Sequence, residues 1–232
     1  MVTVACIRHD KLFTSHMLTY KKPDLQFERT LWQNGIVHIA GLDEAGRGAW
    51  AGPVTAGAVI FPASESLLEQ LHGVRDSKQM TPRQREEWVE LIRSAALSWG
   101  VGSASCGEID ALGILPATHL AMRRALEALI LSPQHLLVDA LRLPGVNLAQ
   151  SAIIHGDARS LTIAAASVLA KTSRDGLMVK LDHECPGYGF ARHKGYGTRA
   201  HQEALLQIGV SAHHRRRFAP IRVLLSNIEG TT

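Results

Sequence analysis

At 232 residues, with 46% hydrophobic and 20% charged side chains and a formal net charge of +4, the chain has the composition of a soluble globular protein with ample length for one core. No apolar stretch nears the roughly 18 residues needed to span a bilayer, and Arg8, His9 and Asp10 arrive too early for a signal peptide. Cys6, Cys106 and Cys185 are too few and too scattered for a disulfide framework or a zinc pattern, which fits a reducing cytoplasm.

In chain order, residues 1–35 mix Lys, Asp, His and aromatics without a period and read as a variable arm ahead of one domain at 36–232. Ile36–Leu42 and Val54–Phe61 are β-branched runs joined by the glycine-rich segment 46–53, the pattern of a hairpin. Thr81-Pro82-Arg83-Gln84 is a helix start with a capping-box pair and proline in the first turn, and Trp88, Leu91, Ile92 and Ala95 share one face, so 82–97 is predicted helical. Trp99–Ser105 reads as a strand and Pro116–Leu131 as a helix.

His135–Asp139 and Ser151–Asp157 are two further strands, each ending in an acid. Thr162–His183 is a long helix whose small face, Ala164, Ala165, Ser167 and Ala170, suits close packing on a sheet. Thr198 caps a helix closed by Gly209, and Pro220–Ser226 begins another. The basic stretch at about 185–232 holds seven Lys or Arg against Glu203 and Glu229, so the remainder of the chain is close to neutral. That asymmetry suits a polyanionic partner; a solvated basic surface is the other reading.

The acids carry the chemistry. Asp43 and Glu44 are adjacent at the end of an apolar run, and Asp139 and Asp157 each end another. One strand-terminal Asp is usually a cap or turn residue. Three strands ending so, one with a doubled acid, suggest carboxylates gathered where α/β folds place ligands. Four hard oxygen donors without Cys or His at ligand spacing suit Mg²⁺ or Mn²⁺. A two-ion site, with the metals about 3.5–4 Å apart, is the arrangement used in phosphoryl transfer. Gly46, Arg47 and Gly48 follow directly, with backbone able to come close to a ligand and a guanidinium suited to phosphate.

Gly41-Leu42-Asp43-Glu44-Ala45-Gly46-Arg47-Gly48 with Gly52-Pro53 resembles the opening signature of the ribonuclease HII family, the type 2 ribonucleases H. The resemblance continues in Arg75-Asp76-Ser77-Lys78, in Leu137-Val138-Asp139, and in Gly156-Asp157 followed by Ile163–Lys171 and Arg174-Asp175. Gly187–Phe190, His193-Lys194-Gly195-Tyr196 and His213-His214-Arg215 complete it, in family order. Ala49 and Gly197 depart from it, standing where members often have proline.

The resemblance implies a ribonuclease H-like α/β fold, a five-stranded mixed sheet flanked by helices with a helical C-terminal portion. It implies catalytic and metal-binding roles for Asp43, Glu44, Asp139 and Asp157. Gly46, Arg47 and Gly48 look like the segment that senses a ribose 2′-OH, the group that separates RNA from DNA. Tyr196 looks like the residue that stacks on the following deoxyribose. Ser77, Lys78, Ser167, Lys171 and Arg215 resemble positions near backbone phosphates, although Arg215-Arg216-Arg217 also reads as a solvated basic run. Asp175 is read as a partner in a structural ion pair.

The implied activity is metal-dependent endonucleolytic cleavage of the RNA strand of RNA/DNA hybrids and incision 5′ of ribonucleotides embedded in duplex DNA. The expected partner is nucleic acid, with no membrane, for a monomer in the cytoplasm. The alternatives are a ribonuclease HIII-like hybrid nuclease, against which the 35-residue arm and the Gly-Arg-Gly motif speak, and a non-catalytic nucleic-acid-binding module. For the module, four converging acids would only repel phosphate.

Overall fold

The structure, a computed structural model, describes residues 22–229. Helix α1 (Gln26–Gln33) precedes strands β1 (Ile39–Ala45) and β2 (Val54–Ile60). Helix α2 (Leu67–Gln70) and a 3-10 turn at Ser77–Gln79 lead to α3 (Pro82–Ala95) and β3 (Ser98–Ala104). Then come α4 (Cys106–Leu112), α5 (Ile114–Glu127), β4 (His135–Asp139), β5 (Ala149–Ile153), a 3-10 turn at Gly156–Ala158 and the long α6 (Leu161–Glu184). Helices α7 (Phe190–His193), α8 (Arg199–Ile208) and α9 (Ala219–Glu229) form the C-terminal part. No helix among the described residues is long and apolar enough to cross a membrane.

The strands form one mixed sheet in the order β3-β2-β1-β4-β5. β2 runs antiparallel to both β1 and β3, while β1, β4 and β5 are parallel. Leu42 lies beside Val138 in the β1–β4 register, so Asp43 and Asp139 follow at the same level on adjacent strands.

On one face, Ala117, Ala121, Met122 and Ala125 of α5 pack against Leu42, Ala56, Ala58 and Leu136. On the other, Ala164, Ala165, Val168 and Leu169 of α6 pack with Val59, Phe61 and the α3 residues Val89 and Ile92. The small face of α6 has its counterpart in the sheet. A Cβ at Gly41 or Gly57 would run into the α6 backbone at Thr162 or Ala166, so both surfaces must be bare for the helix to sit this close. Ser160 caps α6 through the Ile163 amide, and the Thr81–Gln84 capping box starts α3 as the sequence predicts.

Four expectations are corrected. Helix α5 begins at Ile114 and stops at Glu127, with Pro116 in the first turn where its missing amide costs nothing. Asp43 and Glu44 lie inside β1, not just beyond it. The strand expected at 151–157 ends at Ile153, because His155 takes a left-handed φ of +54° and turns the chain, which places Asp157 on the 3-10 turn before α6. The arm boundary at 36 falls inside the packed unit: Leu25 is buried in the α6 core, and Glu28 of α1 accepts hydrogen bonds from Ser160 Oγ (2.7 Å) and the Thr162 amide (3.1 Å). Residues 1–21 of the arm lie outside the described residues.

Candidate active site

A cleft of about 740 Å³ opens at the carboxyl end of β1 and β4. Asp43, Glu44, Gly46, Arg47, Gly48, Ser77, Lys78, Asp139, Lys171 and Tyr196 line it, all singled out from sequence. Asp157 joins from beneath: its Oδ2 lies 3.3 Å from the Lys78 ammonium, which reaches over from the Asp76 turn. Asp139 Oδ1 accepts the Gly156 amide at 2.7 Å, so the turn that carries Asp157 is tied to the end of β4.

These acids are held at an electrostatic cost. Burial pushes the Asp43 carboxyl well above its ordinary range, and the neighbouring Glu44 and Asp139 push it further, while a hydrogen bond from Ser167 works the other way. Burial also raises Glu44, against the pull of the Arg47 guanidinium at 3.0 Å. Asp139 is raised by burial and by Asp157, against the Gly156 hydrogen bond. Glu44 keeps one carboxylate oxygen, Oε2, buried without any hydrogen-bond partner. On Lys78, burial disfavours the ammonium, but Asp157, Asp76 and Asp43 outweigh it and raise its pKa. The cleft is a place where positive charge is wanted. Among the described residues, no three His, Cys, Asp or Glu side chains yet close on a common point as metal ligands do. Arg47 and Lys78 stand against Glu44 and Asp157 instead.

The turn after β1 is anchored from behind, and here the reading of Arg215 is corrected. Arg215 is 0% exposed, so it touches no phosphate. Its guanidinium donates to the carbonyls of Gly46 (2.7 Å), Arg47 (2.8 Å), Gly52 (3.0 Å) and Pro53 (3.1 Å). In a trans peptide the C=O of one residue and the N–H of the next point in opposite directions, and no peptide here is cis. Drawing the Gly46 and Arg47 carbonyls inward therefore turns the Arg47 and Gly48 amides outward, and neither is spent on an acceptor among the described residues.

A second buried arginine, Arg174 of α6, donates to the carbonyls of Pro53 (2.9 Å) and Ala51 (3.2 Å) and packs on Gly46, where a Cβ would overlap it. Burial followed by the proximity of Arg174 lowers the Arg215 pKa to about 10, which leaves it protonated at neutral pH. The planar fork of a guanidinium, with five donors in fixed directions, suits several converging carbonyls at once.

Tyr196 is 37% exposed in the cleft, with Arg174 5.5 Å and Lys171 5.8 Å from its ring centroid. Its loop is docked on the turn, since Gly195 O accepts the Trp50 (2.8 Å) and Ala51 (3.3 Å) amides. Ser167, expected near phosphate, is instead buried beneath the acids with its hydroxyl 2.9 Å from that of Ser77. Lys171 donates to Asp175 at 2.7 Å, and Asp175 also holds Arg85 at 2.9 Å, the structural ion pair read from sequence. The sequence reading missed Arg85, Arg192 and Lys194 as cleft residues. The net positive charge of 185–232 was the available signal for the last two, without a way to choose among seven cations.

A mixed sheet in this order, flanked by helices, with an acidic cleft where β1 and β4 end side by side, defines a ribonuclease H-like hydrolase. The crystal structure of the ribonuclease H2 from Pyrococcus horikoshii OT3 superposes with a TM-score of 0.66 at 27% identity, over 82% of this chain and 98% of that one. Bst-RNase HIII in complex with Mn²⁺ shares the fold at TM-score 0.61 and 16% identity, over 84% of this chain and 71% of that one. The family model for ribonuclease HII matches residues 40–221.

A ribonuclease HII of Desulfitobacterium hafniense (strain Y51) is 54% identical over 198 residues, 85% of this chain and 75% of the relative. One of Chloroflexus aurantiacus is 51% identical over 208 residues, 89% and 98% of the two chains. The chain belongs to the ribonuclease HII family and is an endoribonuclease of the ribonuclease H type, a hydrolase of phosphodiester bonds.

Proposed function

We propose that this ribonuclease H cuts 5′ of ribonucleotides embedded in duplex DNA as well as within the RNA strand of RNA/DNA hybrids, leaving a 3′-OH and a 5′-phosphate. The observation that carries the reading is the pair of outward-facing Arg47 and Gly48 amides beside Asp43 and Asp139. Two donors fixed from behind suit one 2′-OH and need no second ribonucleotide. The Tyr196 ring offers a flat surface to the next sugar, where a 2′-OH would crowd it.

Asp43, Glu44, Asp139 and Asp157 are the residues to hold Mg²⁺ or Mn²⁺, and their fit is supported by the orphaned Glu44 Oε2 and by carboxyls raised through burial and mutual repulsion. Bound divalent ions supply the charge that activates water and stabilises a leaving oxygen. Arg47 and Lys78 stand on Glu44 Oε1 and Asp157 Oδ2, which leaves the other oxygen of each carboxylate as the one to face a metal.

The test is cleavage of a duplex carrying one ribonucleotide, beside a long RNA/DNA hybrid, with Mg²⁺, with Mn²⁺ and with chelator. Incision 5′ of the lone ribonucleotide, abolished by chelation, is expected. Cutting confined to the hybrid would overturn the embedded-ribonucleotide reading, and full activity in chelator would overturn the metal reading.

A further inference from the structure

Away from the acids, a cluster of buried imidazoles sits behind Tyr196. His193 ends α7, His201 lies on α8, and His214 precedes α9; none is in contact with Asp43, Glu44, Asp139 or Asp157. The backbone fixes the tautomer of each ring. The Ser211 amide donates to His214 Nδ1 at 3.0 Å, so that nitrogen carries no proton and the proton is on Nε2. His214 Nε2 faces His201 Nε2 at 3.0 Å, so His201 accepts there. His201 Nδ1 then carries its own proton and donates to the Tyr196 carbonyl at 3.0 Å.

The result is a one-way chain from the Ser211 amide through two neutral rings to Tyr196. A parallel pair holds the residue before it: the Gly195 amide donates to His193 Nδ1 at 3.2 Å, and His193 Nε2 donates to the Tyr188 carbonyl at 2.7 Å. The His193 and His201 rings stack 4.4 Å apart and nearly parallel, with Phe190 edge-on to both.

We propose that His201 and His214 are positioning residues for cleavage, fixing the Tyr196 backbone so that its ring stands correctly over the cleft, with His193 bracing the Gly195 side. The proposal rests on the reading of Tyr196 as a substrate-facing residue. An imidazole suits this task because it donates from one edge and accepts at the other through a rigid plane, while its faces pack against aromatics. The chain has one consistent direction. A proton added to His201 would set two N–H groups head to head across 3.0 Å, and one added to His214 would face the Ser211 amide at the same distance. The link therefore works only with both rings neutral. Gly195 O, on the same loop, takes the Trp50 and Ala51 amides, so the tyrosine is positioned relative to the 2′-OH-facing turn.

The experiment is a double-mutant cycle with His201→Phe, which keeps the ring volume and removes both hydrogen bonds, and Tyr196→Ala, measured as kcat and KM on the single-ribonucleotide duplex and on an RNA/DNA hybrid. His201→Phe should lower kcat by about tenfold to a hundredfold, the scale of an ångström-level misplacement, with little change in KM. In the Tyr196→Ala background the same substitution should cost almost nothing, although it still lowers the melting temperature. Equal kcat losses in both backgrounds would overturn the proposal. A Tyr196→Ala enzyme as active as wild type would instead overturn the reading of Tyr196. Nitrogen-15 spectra of the histidines in the wild-type protein give a second check that survives a misfolded variant: His214 protonated on Nε2 and His201 on Nδ1 are expected, and the opposite tautomer at either ring refutes the chain.

Discussion

Replacing Arg215 separates the two roles that an arginine in a basic segment of a nuclease can have. A phosphate contact is mostly charge, so lysine would serve nearly as well, and removing the charge would flatten the salt dependence of binding by about one unit in slope. A carbonyl anchor is mostly geometry. Arg215 makes four hydrogen bonds of 2.7–3.1 Å to the backbone at 46, 47, 52 and 53. A lysine ammonium has three donors on one atom and reaches one or two of those carbonyls.

Pro53 O keeps Arg174 and Gly46 O keeps the Ala49 amide, so one or both of the Arg47 and Gly52 carbonyls are left bare, at roughly 1–3 kcal/mol each. The ammonium, more strongly hydrated than the guanidinium, gives no compensation for its burial. The sum is about 3–5 kcal/mol, or roughly a 10 °C lower melting temperature for a domain of this size. Arg215→Lys should therefore melt near 10 °C lower and lose kcat as the Arg47 and Gly48 amides lose their fixed direction. Arg215→Gln should bind duplex with an unchanged salt slope. The assays are thermal unfolding, single-turnover cleavage, and binding titrations across salt. A Gln variant with wild-type melting and a slope smaller by one charge would refute the anchor.

Other consequences follow from the same geometry. Gly46→Ala places a methyl group into the Arg174 side chain at a φ of +92°, and backbone strain with overpacking should cost about 2–4 kcal/mol, read as a lower melting temperature with a larger loss in kcat than in duplex affinity; unchanged melting would mean the turn does not rest on Arg174. Asp43→Asn should abolish cleavage yet raise the metal-free melting temperature at neutral pH. The folded-state pKa of Asp43 lies above its unfolded value, so the charged carboxylate destabilises the fold at neutral pH and the variant's advantage should fade as pH falls toward 4; a less stable variant at pH 7 would contradict the burial and repulsion described. Adding Mg²⁺ should stabilise the wild type and stabilise Asp157→Asn less; equal shifts would exclude Asp157 as a ligand. Burial, the neighbouring His201 and other histidines lower His214 to about 4, so its resonances should not titrate near 6.5, and stability tied to it is lost as pH falls from about 6.5 to 4, where the unfolded chain takes up a proton the folded one refuses; a midpoint near 6.5 would mean the ring is open to water.

Much of this was legible in the residues, for a reason that also explains where legibility stopped. Strands and helices announce themselves through period and punctuation, which is why β2, α3, α6 and α8 fall within a residue or two of expectation. The acids were legible because apolar runs led to each, and the sheet order set Asp43 beside Asp139. Helix α1 was not, although Phe27, Leu31 and Trp32 share its packed face, since eight residues are too few to stand out from an aperiodic segment, and the reason for Glu28 is a partner 132 residues away at Ser160.

Arg215 was misread for the same cause. Arg215, Arg216 and Arg217 are identical letters in a row, and only the fold decides that the first is buried under the Gly46 turn while the Arg216 and Arg217 amides donate to Asp110 at the surface. Charge counting treats all three as equivalent phosphate seekers. A buried guanidinium is instead tolerated where several carbonyls converge, and carbonyls converge where a backbone turn must present its amides on the opposite side. The cation behind the turn and the donors in front of it are two ends of the same peptide planes. A Gly-Arg-Gly turn that offers amides to a ligand thus calls for a carbonyl-satisfying cation elsewhere in the chain, a requirement the local sequence around residue 47 does not contain.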